Sequence, residues 1–503
     1  MELRLMRGSQ FTWEKNPNWS HFYSSSEEIW RYFKHVATKY NLEKYIKFNT
    51  KVKSAIWNED AGVWRLILTA EDGSQFEDLC EILVNASGIL NTYKYPDIPG
   101  IDEYTGKLMH SAAWDSSYDL TGKTVAVIGG GSSAVQIIPQ IQPVVGKLIP
   151  FLRSPVWITT GFGAKYAGPG GTNFEYPKEQ IEEFQKDPAA LAKYSREVEG
   201  ELNKRFTLAS LSSIHMRNRS VTEFSQMHRN SRDQKNSREL ISDLMTEQLS
   251  NDPILTKTLI PSFNLGCRRM TPGSGYLQSL TKDNVQVVPK SVVRFTKNGV
   301  VDESGTEHIV DVVICATGFD VSFTPNFEVI GRNNSNLKQQ FGDLPKAYLS
   351  ITVPNFPNLF LFIGPNGPAS HSSLLPILEW HTRYLFLMTN KLQKENIKSF
   401  SPKASATEEL FAHTHELMKR LVWSSACNSW FKMGKKHGPV TAIYPGSRLH
   451  YFEMLKEVRY EDYEIEYRDS GNRWRFMGNG YTMTELSVDG DPVWYFDDPF
   501  VRV

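Results

Sequence analysis

The chain is 503 residues long, enough for two or three domains with cores of their own. Its 56 basic and 56 acidic side chains cancel, which leaves no global field for nucleic acid or an anionic membrane surface. No apolar run reaches the roughly 18 residues of a membrane-spanning helix, and the opening MELRLMRGSQ lacks a signal-peptide core, so the sequence reads as soluble and cytoplasmic.

The first predicted element is a helix over SSSEEIWRYFKHVATKYNL. Ser24 or Ser25 can cap it, with Glu27 or Glu28 three positions on, and Ile29, Tyr32, Phe33, Val36 and Tyr40 form its apolar face. A β-meander follows, IKFNTKVKSAIW and VWRLILTA with turns at NEDAG and EDGS, and then a buried strand, CEILVNASG, ending in Ala86-Ser87-Gly88.

The next stretch, VAVIGGGSSAVQIIP, is a short apolar strand running into Gly129 and Gly131, with Ser132, Ser133 and Ala134 opening a helix. Glycine permits the tight turn and the close approach of a pyrophosphate, which the free N–H groups of the helix N-terminus bind. The following strand, KLIPFLRSPVW, ends in Arg153-Ser154, where NAD-preferring folds carry an acidic ribose anchor. A guanidinium and a hydroxyl there suit the 2′-phosphate of NADPH.

Residues 178–206 carry apolar side chains at helical spacing, and the basic, apolar-poor residues 213–237 predict an exposed loop. From Gly275 to Gly318 the order of helix, meander and buried strand recurs, ending in Ala316-Thr317-Gly318. The second copy has a glycine-rich turn at Gly129, and nothing in residues 1–88 reads as its counterpart. If the copies are homologous halves, the first has lost its opening strand, turn and helix. Cys80, Cys267, Cys315 and Cys427 lie far apart without metal-ligand spacing, which predicts free thiols and no metal site.

Further along these segments the chain resembles the fungal branch of the flavin-binding monooxygenases, including the Baeyer–Villiger type. YTGKLMHSAAWD is similar to the family pattern F-x-G-x-x-x-H-x-x-x-W, with Gly106, His110 and Trp114 at the fixed positions and Tyr104 in place of Phe. NASGILN, GCRRMTPGSGY, ICATGFD, LFLFIGPNGP and YPGSRLHYFEML extend the resemblance over nearly the whole chain from about Asn16 onward.

The resemblance implies an α/β fold of two dinucleotide-binding, Rossmann-like domains with β-meanders. The first would be N-terminally truncated and the second inserted into it. Residues 1–115 would be the remnant of an FAD-binding domain, 116–318 an NADPH-binding domain with a helical insertion, and 319–503 the return to the FAD-binding domain. It implies FAD and NADPH as cofactors and a small ketone and O2 as reactants, in fungal secondary metabolism. Arg269 matches the arginine that the family places beside developing negative charge, with Arg268 next to it. Val52 matches a position whose backbone meets the FAD adenine, and Gly364, Pro365 and Asn366 would present backbone to the flavin ring. His110 and Trp114 would lie on a linker coupling cofactor binding to domain movement, although a histidine there serves equally as a structural residue. The pattern departs at the start, where FTWEKNPNWS still matches and Ser9 stands where a tyrosine is expected. The residues also leave open a flavin-free NADPH-binding reductase or isomerase, and a remnant acting as an interaction protein.

Overall fold

The runs Val125–Ile128 and Val312–Cys315 are apolar at every position, the pattern of strands covered on both faces. In the computed structural model, which describes residues 5–6, 10–161, 163, 165–207, 228–369 and 373–496, these runs lie side by side in a parallel sheet. Its strand order is Lys107–His110, Val312–Cys315, Thr124–Ile128, Lys147–Phe151. Val285 and Val288 extend it by parallel bridges to Leu148 and Phe151. The stretch read as a linker thus contributes a strand to this sheet.

The two-residue side-chain period sorts the core. Val125, Val127, Leu148, Val312 and Ile314 face the helix Ser132–Ile141, which buries Ala134, Val135, Ile137, Ile138 and Ile141. Ala126, Ile128, Ile149, Phe151, Val313 and Cys315 face the other way, onto Phe295 and Val300 of the meander Val292–Thr296, Gly299–Asp302, Glu307–Ile309. All four strands run in one direction, so the residues after them line one edge, where open α/β sheets bind ligands.

The first copy is built differently. Lys51–Asn58, Val63–Thr69 and Gln75–Cys80 form the expected antiparallel meander, with Glu328–Ile330 added parallel to its first strand. Trp57 and Trp64 pack together beneath it at 5.5 Å, and Trp64 Nε1 donates to Pro357 O at 2.9 Å. The strand expected to be buried is not: among the described residues Leu83–Asn85 pairs with Leu359–Leu361 alone, and Val84 and Ala86–Gly88 stand exposed. With one partner strand it lacks the cover that makes Val312–Cys315 fully buried.

The first helix forms at Ser26–Lys39, where Ser25 is the cap, accepting from Glu28 N at 3.2 Å. Ile29, Tyr32 and Val36 are buried, while Phe33 and Tyr40 remain exposed. This helix packs with Trp19 and Phe22 against Val198 and Leu202 of the insertion helix Pro188–Thr207. The loop expected over 213–237 is corrected at its end: a helix starts at Arg232, capped by Ser231 and anchored by buried Gln234 and Ser237. The rest of that loop up to residue 227, like Ser9, lies outside the described residues. No described helix is long and apolar enough to cross a membrane, and no group of metal-binding side chains occurs among the described residues. The expectation of four free thiols is corrected too. Cys267 and Cys427 form a disulfide and Cys80 and Cys315 are free, because folding brings together residues 160 positions apart.

Candidate functional site

The turn after Thr124–Ile128 requires glycine at Gly129. Its φ is +118°, and a Cβ there would lie 2.5 Å from Ala316 O, the carbonyl that follows the neighbouring strand. Gly129 N donates to Phe151 O at 3.2 Å, tying the turn to the strand on its other side. At Gly130 a Cβ would stand 3.4 Å from Ser154 O, so the turn also lies against the segment carrying Arg153 and Ser154. Gly131 is the N-cap of Ser132–Ile141 and supplies no side-chain cap, which leaves the first N–H groups of Ser132, Ser133 and Ala134 for another acceptor.

A second segment closes on this turn. Ser132 Oγ and Thr271 Oγ1 are 3.2 Å apart, and Thr271 N donates to Trp157 O at 3.3 Å. Just before Thr271 stand Arg268 and Arg269. Arg268 is half-buried, and burial first and then the charge of Arg153 lower its guanidinium pKa. Arg269 is exposed to solvent, and the protein atoms crowded around it lower its pKa as well. Neither arginine, nor Arg153, has a carboxylate partner among the described residues. Arg153 and Arg268 are thus two neighbouring cations without an acid, the charge type that suits a multiply charged anion.

His110 ends the outer strand of the sheet, beside Cys315. It is fully buried and stacks on Tyr93 at 4.6 Å with Tyr95 at its edge. Its Nδ1 accepts from Ala112 N at 3.1 Å, so Nε2 carries the proton, and that atom finds no partner among the described residues. Burial pulls its pKa below the ordinary value. Trp114 packs half-buried against the core under the glycine turn. Gly106 is needed because a Cβ would meet Tyr104 Oη at 2.3 Å and Asp311 O at 2.7 Å, and Tyr104 Oη donates to Val310 O at 2.9 Å. Lys107 bonds Asp115, and this bond, ahead of those from Ser117, lowers the Asp115 pKa to about 2.

The remaining residues lie apart from this cluster. Val52 sits half-buried on the first meander, opposite Leu68. Asn366, at φ +60°, donates its backbone N–H to Thr441 O at 2.7 Å and its side-chain amide to Val440 O at 3.0 Å. The backbone N–H and one amide N–H are therefore committed to the protein. Sequence reasoning missed what holds this segment. Ser350 Oγ donates to Gly364 O at 2.7 Å, and Ile363 N donates to His381 Nδ1 at 3.4 Å. His381 Nε2 then donates to Tyr451 Oη at 2.8 Å, and Tyr451 donates to Leu349 O at 2.6 Å. Tyr451 lies in the quoted YPGSRLHYFEML, but His381 carries no motif at all.

The flavin-binding monooxygenase-like family profile matches residues 9–210. The FAD-binding monooxygenase tazF of Aspergillus terreus is 37% identical over 488 residues, covering 96% of this chain and 83% of that protein. The FAD-binding monooxygenase stcW of Emericella nidulans is 34% identical over 500 residues, 95% of this chain and 79% of its own length. Among solved structures, cyclohexanone monooxygenase from a Rhodococcus species, bound to NADP+, superposes with a TM-score of 0.77 at 24% identity, over 92% of this chain and 90% of that one. That likeness extends over both halves of the chain and gives it the fold of two Rossmann-like domains, while tazF and stcW relate it by sequence over nearly its full length. The chain belongs to the flavin-binding monooxygenases.

Proposed function

We propose that this protein oxidises a ketone by Baeyer–Villiger oxygen insertion, using NADPH and FAD, in fungal secondary metabolism. The observation that carries the NADPH assignment is the uncapped helix N-terminus after Gly131, with the carbonyl of Ser154, next to Arg153, lying against the same turn. The pyrophosphate would take the N–H groups after Gly131, and a 2′-phosphate would be met by Arg153, with Arg268 as a second cation close by. The residues present therefore fit NADPH. For FAD, Asn366 and the exposed backbone of Ala86–Gly88 follow the paired strands Leu83–Asn85 and Leu359–Leu361, where a flavin nucleotide would lie along a strand-end edge. In this reading residues 116–318 hold NADPH and the flanking segments hold FAD.

When bound, NADPH supplies hydride to the flavin and the reduced flavin activates O2. This chain's own part is to bind, orient and stabilise charge. In this reading Arg269, exposed and without a carboxylate partner among the described residues, would stabilise developing negative charge. His110, stacked on Tyr93, holds the end of the outer strand of the parallel sheet and offers one Nε2–H.

The test is turnover of FAD-loaded protein under 18O2 with a panel of cyclic ketones and thioethers. One 18O incorporated into an ester or lactone is expected, with NADPH consumed in equal amount. Arg269→Ala should keep NADPH-driven flavin reduction and lose the oxygenated product. Oxygen transfer to sulfur alone would overturn the ketone reading, and equal product from Arg269→Ala would overturn the role of Arg269.

A further inference from the structure

Cys267 immediately precedes Arg268 and Arg269, and its bridge to Cys427 reaches from the NADPH-binding part of the chain into its carboxyl-terminal part. Both cysteines are buried. Around the bridge the same two segments are sewn together by weaker ties. Asn264 Nδ2 donates to Ser425 Oγ at 2.8 Å, and Cys267 Sγ lies 3.2 Å from Ser425 O. Arg229 N donates to Arg420 O at 3.0 Å. Upstream, Gln234 exchanges hydrogen bonds with Leu265 N and O. Downstream, Thr271 is held by Trp157 and Ser132. Between these anchors the two arginine side chains have no carboxylate partner among the described residues, so the backbone at Cys267 sets where they point.

A buried lysine completes the group. Lys432 is 2% exposed, and its Nζ stands 4.0 Å from Cys267 Sγ and 3.9 Å from Cys427 Sγ. It donates to Ser425 O at 2.5 Å and Lys436 O at 3.0 Å and has no carboxylate partner among the described residues. Burial lowers its pKa to about 8. A cation beside two sulfurs favours the thiolate form of whichever cysteine is free, and the thiolate is the form that enters disulfide exchange.

We propose that the Cys267–Cys427 bridge is the positioning tie of the Arg268–Arg269 loop, and that Lys432 is the cation that promotes its formation. The bridge forms by exchange. Each cysteine gives up a proton, the two sulfurs join, and a small-molecule or protein disulfide takes up the two electrons and two protons as two thiols. Once closed and buried, the bridge fixes the loop against the carboxyl-terminal segment while leaving both guanidiniums free for an anion. The proposal rests on the NADPH reading only for the identity of that anion.

The experiment begins with alkylation of the denatured, unreduced full chain, followed by peptide mass mapping. A Cys267–Cys427 peptide pair is expected, and alkylated Cys267 would overturn the proposal even if every variant fails to fold. Cys427→Ser then removes the tie far in sequence from the arginines. Native trypsin cleavage after Arg268 and Arg269 should accelerate at least 10-fold in this variant, and an unchanged rate would overturn the tie. The ligand arm compares adenosine 2′,5′-bisphosphate with 5′-AMP. The preference for the 2′-phosphate should narrow about 10-fold in Cys427→Ser with 5′-AMP affinity unchanged, a split that general loosening would not give. Equal loss for both ligands would refute positioning. If neither binds the parent protein, the NADPH reading fails, and the trypsin arm alone decides the tie. Lys432→Met should slow reoxidation of the reduced, refolded chain several-fold, and an unchanged rate would remove Lys432 from the proposal.

Discussion

Arg153 lies close enough to Arg268 for its charge to lower the Arg268 pKa, after the larger effect of burial, and neither has a carboxylate partner among the described residues. Two cations without an acid favour a ligand that brings negative charge. Arg153 stands exposed two residues beyond the strand Lys147–Phe151, held only by its backbone, so its removal should not disturb the core. Arg153→Ala should therefore weaken NADPH binding by about 1.5–3 kcal/mol, roughly 10- to 150-fold in Kd, with NADH affinity unchanged. Fluorescence titration of both nucleotides checks this, and a parallel loss for NADH would mean that the arginine does not read the 2′-phosphate. The sequence showed Arg153 at the right strand end. It gave Arg268 no role beyond that of Arg269's neighbour, since only folding brings Arg268 into the field of Arg153.

At the scale of elements, the glycine turn depends on its neighbours more than on its own chain. Gly129 is fixed by Ala316 O on one strand and Phe151 O on another, so the turn is shaped by the parallel sheet. Gly129→Ala would combine a side chain at φ +118° with a backbone contact of 2.5 Å, and neither can be relieved by a rotamer change. The expected cost is about 2 kcal/mol or more in stability, read as a melting temperature lower by several degrees and a parallel loss of NADPH binding. Gly131→Ala is the control. Its backbone is extended and nothing lies within 4 Å of an added Cβ, so its stability should stay within about 0.5 kcal/mol of the parent.

At the scale of the molecule, residues 349–451 are held together by buried polar ties as well as an apolar core. His381 sits on the helix Leu375–Lys394, receives the N–H of Ile363 and donates to Tyr451, and so joins three separate segments. Burial lowers its pKa from 6.5 to about 3. The folded state then refuses a proton that the unfolded chain accepts below pH 6.5. His381 costs nothing above that pH, and stability falls by about 1.4 kcal/mol per pH unit between roughly 6.5 and 3. Urea unfolding at pH 7.5 and 5 should show about 2 kcal/mol less stability at the lower pH from this group alone. His381→Gln keeps a neutral amide in place and should flatten that difference, and an undiminished pH dependence in the variant would assign it to other groups.

The sequence by itself determined the local units. The alternating and continuous apolar runs, the glycines after Thr124–Ile128 and the Ser25 cap each follow from propensities that act over a few residues, and the folded chain has them. The family was legible in the same way, because motifs such as the one over Tyr104–Trp114 are local. Tertiary structure alone decided the rest. It left Leu83–Asn85 half-exposed, because a strand's burial is set by its partners and not by its own side chains. It joined Cys267 to Cys427 and set Lys432 beside them, and it put Arg268 in the field of Arg153. No periodicity or spacing encodes such pairs, because a contact between distant segments is fixed by the packing of everything between them.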